Sequence, residues 1–307
     1  METLVSFDFF IEIDFNRFDR RVSVEILQQV EFLFLTSPFP DAYDLHRAIS
    51  LSWETVGISE FGTRYKVRGT RCSGDAWTSI GNGLLNKFMT WLCLRDIKHS
   101  SYHEGDDIIL GIHSTDKDLV LHRLEFLSVL GFSAKIILRP ELSQAVFCGR
   151  QLGRSVDTII SHCDLTRTLL KFNTTVSNGA EAPLLLAKAR SYYSTDRDTP
   201  IIGQLCWSII TILGPVITKR QLKRAVAHFS TERYLPAHHG LDLTPPRVLP
   251  ESRSAVELHT GINIATQEAY EFYYESWIAH NHIPSDVVRL PGEWDLAGNA
   301  TIFFHDT

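Results

Sequence analysis

Two spacings of apolar residues divide the first half of the chain into predicted strands and helices. Residues 9–13 and 136–138 are almost continuously apolar and are rich in Phe, Ile and Leu, which indicates short strands. Residues 24–34, 84–92 and 116–130 instead carry apolar side chains at intervals of three and four, the period of a helix with one buried face. The first half of the chain is therefore predicted to alternate strands with helices.

The second half of the chain is predicted to be mainly helical. Residues 204–218 form an apolar run that is interrupted by Gly214-Pro215. The run is too short to span a membrane, so it is interpreted as a buried helix. Prolines between residues 235 and 252 indicate a loop-rich stretch, and residues 268–278 favour one further helix.

Acidic side chains lie where the predicted strands end. Asp14 follows the first apolar strand, and Asp19 lies at the turn into the next helix. Gly105-Asp106-Asp107 form the tip of a short apolar hairpin. Such carboxylates favour a site for divalent metal, and two metal ions support nucleotidyl transfer. Their mutual repulsion should raise at least one carboxyl pKa without metal. The residues alone leave two alternatives open. Gly105-Asp106-Asp107 are also compatible with a solvated turn, and Asp19 is also compatible with the start of a helix.

A polar loop comes before the predicted helix of residues 84–92. Residues 71–82 read Arg-Cys-Ser-Gly-Asp-Ala-Trp-Thr-Ser-Ile-Gly-Asn. Thr78 and Asn82 are four residues apart and share one helix face. Alone, this segment is equally compatible with an ordinary helix N-terminus that is rich in small polar residues.

Taken in this order, the three segments resemble motifs A, B and C of the palm of viral RNA-dependent RNA polymerases. The forms Asp-x-x-Arg-Phe-Asp, Ser-Gly-Asp-x-x-Thr-Ser-x-Gly-Asn and Gly-Asp-Asp are most similar to those of the nodavirus and tombusvirus-like positive-strand RNA viruses. Asn16 differs from the Ser that is common in this group, and Glu104 is not the commonest residue before Gly-Asp-Asp. Neither difference affects an expected metal ligand.

The resemblance implies a role for each candidate residue. Two Mg²⁺ ions, for which Mn²⁺ can substitute, are expected on the catalytic carboxylates of Asp14, Asp106 and Asp107. The incoming nucleotide, whose ribose 2′-hydroxyl distinguishes RNA from DNA substrates, is expected to be bound by Asp19, Ser73, Gly74, Thr78 and Asn82.

The similarity continues downstream. Residues 131–138 resemble motif D, so Lys135 is the candidate catalytic acid that protonates the leaving pyrophosphate; an ordinary surface lysine is the alternative. Residues 145–150 resemble motif E, the hairpin that grips the primer, and an early thumb segment follows. Contacts with RNA or primer are accordingly expected at Arg150, Lys188 and Arg190.

Charge is distributed in three blocks. The 307-residue chain has a net charge of −6, but residues 117–224 carry 15 Lys and Arg against 8 Asp and Glu, a net charge of +7. Residues 1–116 and 225–307 are acidic, with net charges of −6 and −7. The basic block is suited to RNA phosphates, although many of its residues are equally compatible with solvated helix faces.

The resemblance implies an α+β fold in which a polymerase palm, a small antiparallel sheet backed by helices, precedes a mostly helical thumb. The palm is expected at residues 1–150, with an insertion on the fingers side at 36–67. The thumb is expected at 151–230, and an acidic, loop-rich C-terminal extension at 231–307. Only 13 residues precede the first motif A aspartate, so the fingers are expected to be largely absent from this chain.

The sequence thus predicts an RNA-directed RNA polymerase that replicates a positive-strand RNA virus genome by two-metal nucleotidyl transfer. Its expected partners are an RNA template, a primer or product strand, nucleoside triphosphates and the missing fingers region of the same replicase. We expect it to act in the host cytoplasm at membrane-bound replication sites, with membrane association only through regions outside this chain.

Two alternatives remain. A reverse transcriptase-like palm is disfavoured, because such enzymes carry an aromatic residue where Asp19 stands and lack the Ser-Gly-to-Asn loop. A catalytically inactive RNA-binding or scaffolding fragment of a replicase belongs to another class. It predicts RNA binding that survives Asp106→Asn and no nucleotide incorporation.

Cysteine usage favours free thiols. The five cysteines are odd in number and lack the paired spacing of zinc sites. His162-Cys163 and His238-His239 are not followed by partner pairs, so a zinc site is not expected.

Overall fold

The computed structural model describes residues 2–155, 158–172, 180–226 and 243–284. The fold mixes helices with small sheets, as predicted.

The chain divides into two compact units. The first extends to Cys148 and includes residues 158–159; the second comprises Gly149–Ser155 and the described residues from Ile160 onward. The assignment of residues to palm and thumb stays a prediction.

The first unit contains a four-stranded sheet and a separate hairpin. Its strands are β1 (Phe9–Phe15), β2 (Glu54–Ile58), β3 (Arg64–Arg68), β4 (His99–Glu104), β5 (Asp107–Ile112), β6 (Ala134–Arg139) and the short β7 (Val146–Phe147). The order in the large sheet is β4-β5-β1-β6, and β2 pairs with β3. These pairings are all antiparallel.

The helices of the first unit are α1 (Phe18–Arg21), α2 (Val24–Ile26), α3 (Phe32–Thr36), α4 (Tyr43–Leu51), α5 (Thr78–Leu94), α6 (Lys117–Leu124) and α7 (Phe126–Val129). Of these, α1, α2, α5, α6 and α7 share an apolar core with the large sheet. The predicted amphipathic helix of residues 116–130 corresponds to α6 and α7, which bury Val120, Leu124 and Leu127 in that core.

β1 is the strand on which the rest of the first unit is built. Its seven residues are all buried except Asp14, which explains the apolar run that predicted a strand. The buried Glu12 is paired with Arg139, whose Nε donates a hydrogen bond to Glu12 Oε1 at 2.7 Å. Because its neighbours are antiparallel, the carboxyl end of β1 lies beside the starts of β5 and β6.

A π-helical turn interrupts the predicted helix of residues 24–34. The turn spans Leu27–Glu31, between α2 and α3. It shifts the helical phase, so Glu31 is buried, whereas Leu33 and Phe34, which the apolar spacing placed on the buried face, are 59% and 45% exposed. The prediction was wrong for these two residues because it assumed the α-helical period throughout.

The second unit is mainly helical. Its elements are β8 (Arg150–Arg154), β9 (Ile159–Cys163), α8 (Leu165–Phe172), α9 (Glu181–Asp196), α10 (Ile202–Leu213), α11 (Lys219–Val226), α12 (Pro250–Thr260) and α13 (Ile264–His280). The apolar run predicted as a buried helix is confirmed as α10, which ends before Gly214. Among the described helices, none combines the length and the apolar composition that crossing a bilayer requires.

Within the segment 231–307, the structure describes residues 243–284, which contain the two helices α12 and α13. α12 and α13 place Tyr270 and Trp277 in the same core as α8, α9 and α10, and the predicted helix of residues 268–278 lies within α13. Pro250, one of the prolines that indicated a loop, lies in the first turn of α12, where a proline removes no helical hydrogen bond.

Candidate active site

The hairpin of β4 and β5 turns on Gly105 and Asp106, between the paired Glu104 and Asp107. Gly105 has a φ of +57°, the left-handed conformation that Gly adopts readily at the first position of a two-residue hairpin turn. The turn therefore presents two adjacent carboxylates at the edge of the sheet where β1 ends with the exposed Asp14.

These carboxylates are close enough to perturb one another. Partial burial raises the pKa of Asp107, and the negative charges of Asp106 and Asp14 raise it further. The direction of this shift agrees with the carboxylate repulsion that the sequence predicts. A divalent cation would relieve this repulsion, and hard carboxylate oxygens suit Mg²⁺.

Within the described ranges, no three His, Cys, Asp or Glu side chains are grouped so that they would hold a metal ion by themselves. Mg²⁺ usually binds one or two carboxylates and completes its shell with water and substrate phosphates. The carboxylates at this edge fit that partial donor set. Of the two pairs considered for zinc, His162-Cys163 is part of no such group, and His238-His239 lie outside the described residues.

Cys148 is a neighbour of the carboxylates that the sequence did not indicate. Its thiol lies close enough to the Asp107 side chain to lower the pKa of that carboxyl group. Burial raises the pKa of Cys148 to about 12, and the charges of Asp107 and Glu104 contribute to the rise. The thiol is therefore protonated at neutral pH and is suited to donate to Asp107. The chain returns to the hairpin only after β7, so no local pattern reveals this contact.

Asp19, Ser73 and Asn82 form one hydrogen-bonded group, which we call the ribose-site group after the role that the sequence resemblance implies for it. Asn82 Nδ2 donates to Asp19 Oδ1 at 2.8 Å, and Ser73 Oγ donates to Asp19 Oδ2. The backbone carbonyl of Asp19 also accepts a hydrogen bond from the Arg71 amide at 2.7 Å. The structure thus brings together three residues that the sequence predicted as one set.

Gly74 follows Ser73 in the loop, and Thr78 is the first residue of α5. Thr78 Oγ1 donates to the backbone carbonyl of Cys72 at 3.1 Å. Gly74 is exposed and has a φ of +115°, which L-residues with side chains rarely adopt. Both residues shape the loop that presents Ser73.

α5 fixes the hairpin through two polar side chains. Ser79 Oγ donates to Glu104 Oε1 at 2.5 Å, and the buried Asn86 donates from Nδ2 to the Gly105 carbonyl at 2.6 Å. Sequence reasoning missed Asn86, although Asn82 and Asn86 are four residues apart on one face of a largely apolar helix.

Lys135 lies directly opposite Asp14 in the pairing of β6 with β1. Opposed residues of antiparallel strands project from the same face, with Cβ atoms about 5 Å apart. The Lys135 side chain is exposed. The structure thus places this lysine at the acidic edge of the sheet.

The three basic residues predicted to contact RNA lie in the second unit. The Arg150 guanidinium donates to both carboxylate oxygens of Asp196 at 3.0 Å and to Ser161 Oγ and O at 3.1 and 2.9 Å. Lys188 donates to a backbone carbonyl, and burial lowers its pKa to about 8. Burial lowers the pKa of the half-buried Arg190. These contacts give Arg150 a structural role, and its contact with RNA stays a prediction.

Comparison with known proteins gives a consistent result. Residues 9–282 match the family model described as viral RNA dependent RNA polymerase. The chain is 28% identical over 239 residues to the RNA-directed RNA polymerase of Pariacoto virus, covering 71% of this chain and 24% of that protein. It is 32% identical over 302 residues to the RNA-directed RNA polymerase of turnip crinkle virus, a match that covers 94% of this chain and 36% of that protein. It is also 28% identical over 208 residues to the RNA-directed RNA polymerase of Atlantic halibut nervous necrosis virus. That match covers 64% of this chain and 21% of that protein. The chain therefore spans 21% to 36% of the length of these relatives.

Proposed function

The chain belongs to the viral RNA-dependent RNA polymerase family, and from this premise we propose that it carries the catalytic site of an RNA-directed RNA polymerase that replicates a positive-strand RNA virus genome. The observation that carries the proposal is the ribose-site group, which joins motif A to motif B in the same unit as the carboxylate hairpin. A solvated turn or a helix N-terminus alone gives no reason for this long-range pairing.

We assign two Mg²⁺ ions, or Mn²⁺ in their place, to Asp14, Asp106 and Asp107. When bound, such ions activate the primer 3′-hydroxyl and stabilise the charge of the leaving pyrophosphate. The chain itself supplies the opposed carboxylates and holds their geometry through the hairpin and α5. Positioning and electrostatic stabilisation carry most of the rate in phosphoryl transfer, so a rigid hairpin suits this chemistry.

The ribose-site group selects the nucleotide. A ribose 2′-hydroxyl can donate to the Asp19 carboxylate and accept from the Asn82 amide, whereas deoxyribose can do neither. A site built to hydrogen-bond a hydroxyl rejects the analogue that lacks it, because its own polar groups are then left unpaired.

We further propose residues 1–150 as the palm and 151–230 as the thumb. The antiparallel sheet of the first unit and the helices of the second support this division. An RNA template, a primer strand and nucleoside triphosphates are the proposed partners, together with a fingers region in another part of the replicase. Action at membrane-bound replication sites in the host cytoplasm stays a prediction.

The second candidate is a catalytically inactive RNA-binding or scaffolding fragment of a replicase. This candidate predicts RNA binding without incorporation of any nucleotide. The extension assay below separates the two.

We expect the chain to extend a primed RNA template by one nucleotide and to prefer ATP to dATP opposite a template uridine. Asp19→Ala should narrow this preference by about tenfold or more, because the 2′-hydroxyl loses its acceptor and Ser73 and Asn82 lose their partner. The measurement is kcat/KM for each nucleotide. Asp41→Ala, at an exposed carboxylate of the same unit, is the matched control. An unchanged ratio in Asp19→Ala would rule out the ribose-site role.

We expect Lys135→Ala to slow the chemical step by about 10²-fold while leaving RNA affinity unchanged, because a positioned general acid contributes to the rate and not to binding. Single-turnover extension, together with RNA titration by fluorescence anisotropy, measures the two quantities separately. The exposed Lys98, changed to Ala, controls for loss of positive charge in the first unit. Equal single-turnover rates for the wild type and Lys135→Ala would identify Lys135 as an ordinary surface lysine.

A further inference from the structure

A buried ion pair lies behind the ribose-site group. The side chains of Arg71 and Glu31 are 1% and 2% exposed. Arg71 Nη1 donates to Glu31 Oε1 at 3.0 Å, and Nη2 donates to Glu31 Oε2. The fork of the guanidinium is thus occupied by one carboxylate. In addition, Arg71 Nε donates to Asn82 Oδ1 at 3.0 Å.

This last hydrogen bond determines which end of the Asn82 amide faces Asp19. With Oδ1 held by Arg71, Nδ2 is directed at Asp19 Oδ1. The reversed amide would place an oxygen against the Asp19 carboxylate and an NH₂ group against the Arg71 guanidinium. Both contacts would be repulsive, since a carboxylate only accepts and a guanidinium only donates. Arg71 therefore fixes the donor that the ribose-site group presents.

The backbone around the pair is shaped to accommodate it. Glu31 is the last residue of the π-helical turn, a distortion that often marks functional sites, and it is buried. Gly81 lies inside α5, where glycine is normally unfavourable. A Cβ there would lie 2.5 Å from Glu31 Oε2 and 2.8 Å from Arg71 Nη2. The glycine thus leaves the space that the pair occupies.

Stability alone is a weak reason to retain such a pair. Desolvation lowers the pKa of Arg71, which shows that burial disfavours its charge. Buried ion pairs are often matched or exceeded in stability by apolar residues of similar volume. A planar guanidinium, in contrast, can orient an amide while it is itself held by a carboxylate.

We propose that Glu31 and Arg71 are positioning residues for ribose recognition, which hold Asn82 so that the site discriminates ribonucleotides from deoxyribonucleotides. The inference rests on the proposed function, because discrimination is defined by the nucleotide that is incorporated. Neither residue contacts the ribose; both act through Asn82.

Two variants of the 307-residue chain test the proposal. Arg71→Lys keeps a cation beside Glu31 but loses the planar fork that also reaches Asn82. Gly81→Ala changes no charge and displaces the pair sterically. Gly83→Ala is the matched control, because its Cβ would meet the Gly105 amide at an ordinary 3.7 Å.

Two readouts are required. The first is the ratio of kcat/KM for ATP to that for dATP in primed RNA extension, which we expect to fall about tenfold in both variants and to stay within twofold in the control. A merely structural defect would lower both values alike and leave the ratio unchanged. The second is the side-chain amide NMR signal of Asn82, assigned by its loss in Asn82→Asp, which we expect to shift in both variants.

An unchanged Asn82 signal in both variants would overturn the positioning role. A shifted signal with an unchanged nucleotide ratio would overturn the role in discrimination. If the wild-type chain incorporates neither nucleotide, the proposed function fails and the claim of discrimination fails with it, whereas the Asn82 signal still decides whether the ion pair orients the amide.

Discussion

We expect Asp106→Asn to abolish single-nucleotide extension of a primed RNA template, with a rate at least about 10³-fold below that of the wild-type chain. Asn keeps the size of the side chain and its place in the two-residue turn, so the hairpin should persist. The change removes one negative charge from the edge where Asp14 and Asp107 also lie. The proposed metal ions would supply several kcal/mol of transition-state stabilisation, so the loss of one ligand should affect catalysis far more than folding.

The assay compares extension with Mg²⁺ and with Mn²⁺, and RNA affinity is measured in parallel. Affinity should be unchanged, since the substitution lies outside the basic block that is suited to phosphates. Asp41→Asn, an exposed position in the same unit, controls for the loss of one carboxylate. Extension by Asp106→Asn near the wild-type rate would refute the metal assignment, and RNA binding without extension by the wild type would favour the scaffolding alternative.

The elements that the sequence predicted correctly around these residues depend mostly on local structure. The apolar run that ends at Asp14 predicts a strand, and Gly105 followed by two aspartates predicts a tight turn, because strand burial and turn conformation are local preferences. The pairing of Asp19 with Asn82 was reached only through resemblance to a family, since nothing in either segment alone indicates the other.

The features that sequence reasoning missed depend on long-range packing or on irregular backbone. Glu31 is buried because a π-helical turn changes the phase of its helix, and a search for a regular period cannot detect such a turn. Cys148 reaches Asp107 only once the chain has returned to the hairpin. The pairing of Arg150 with Asp196, which is distant in sequence, was not predicted, while the expected contact of Arg150 with RNA stays a prediction.

Asp196 is the centre of the polar network of the second unit. Its side chain is 1% exposed and accepts hydrogen bonds from Arg150, from the Cys163 amide at 2.8 Å and from Thr199 Oγ1 at 3.0 Å. Burial alone would raise the pKa of Asp196, but the hydrogen bonds and the charge of Arg150 hold the pKa below its ordinary value. The ionised carboxylate therefore stabilises the folded state.

We expect Asp196→Ala to lower the free energy of unfolding by about 3–5 kcal/mol, because it leaves the Arg150 guanidinium unpaired and a buried backbone amide without its acceptor. Glu268→Ala, at a side chain that is 62% exposed and lies 4.0 Å from Arg253, should cost less than about 1 kcal/mol. Urea unfolding followed by tryptophan fluorescence measures both changes.

The stabilisation by Asp196 should depend on pH. Because the folded pKa of Asp196 lies below the unfolded one, the contribution of Asp196 to the free energy of unfolding is fully present above about pH 4 and is lost as the pH falls through the folded pKa. The difference between wild type and Asp196→Ala should therefore narrow in acid, and a difference that stays constant down to about pH 2 would show that the ionised carboxylate is not its source.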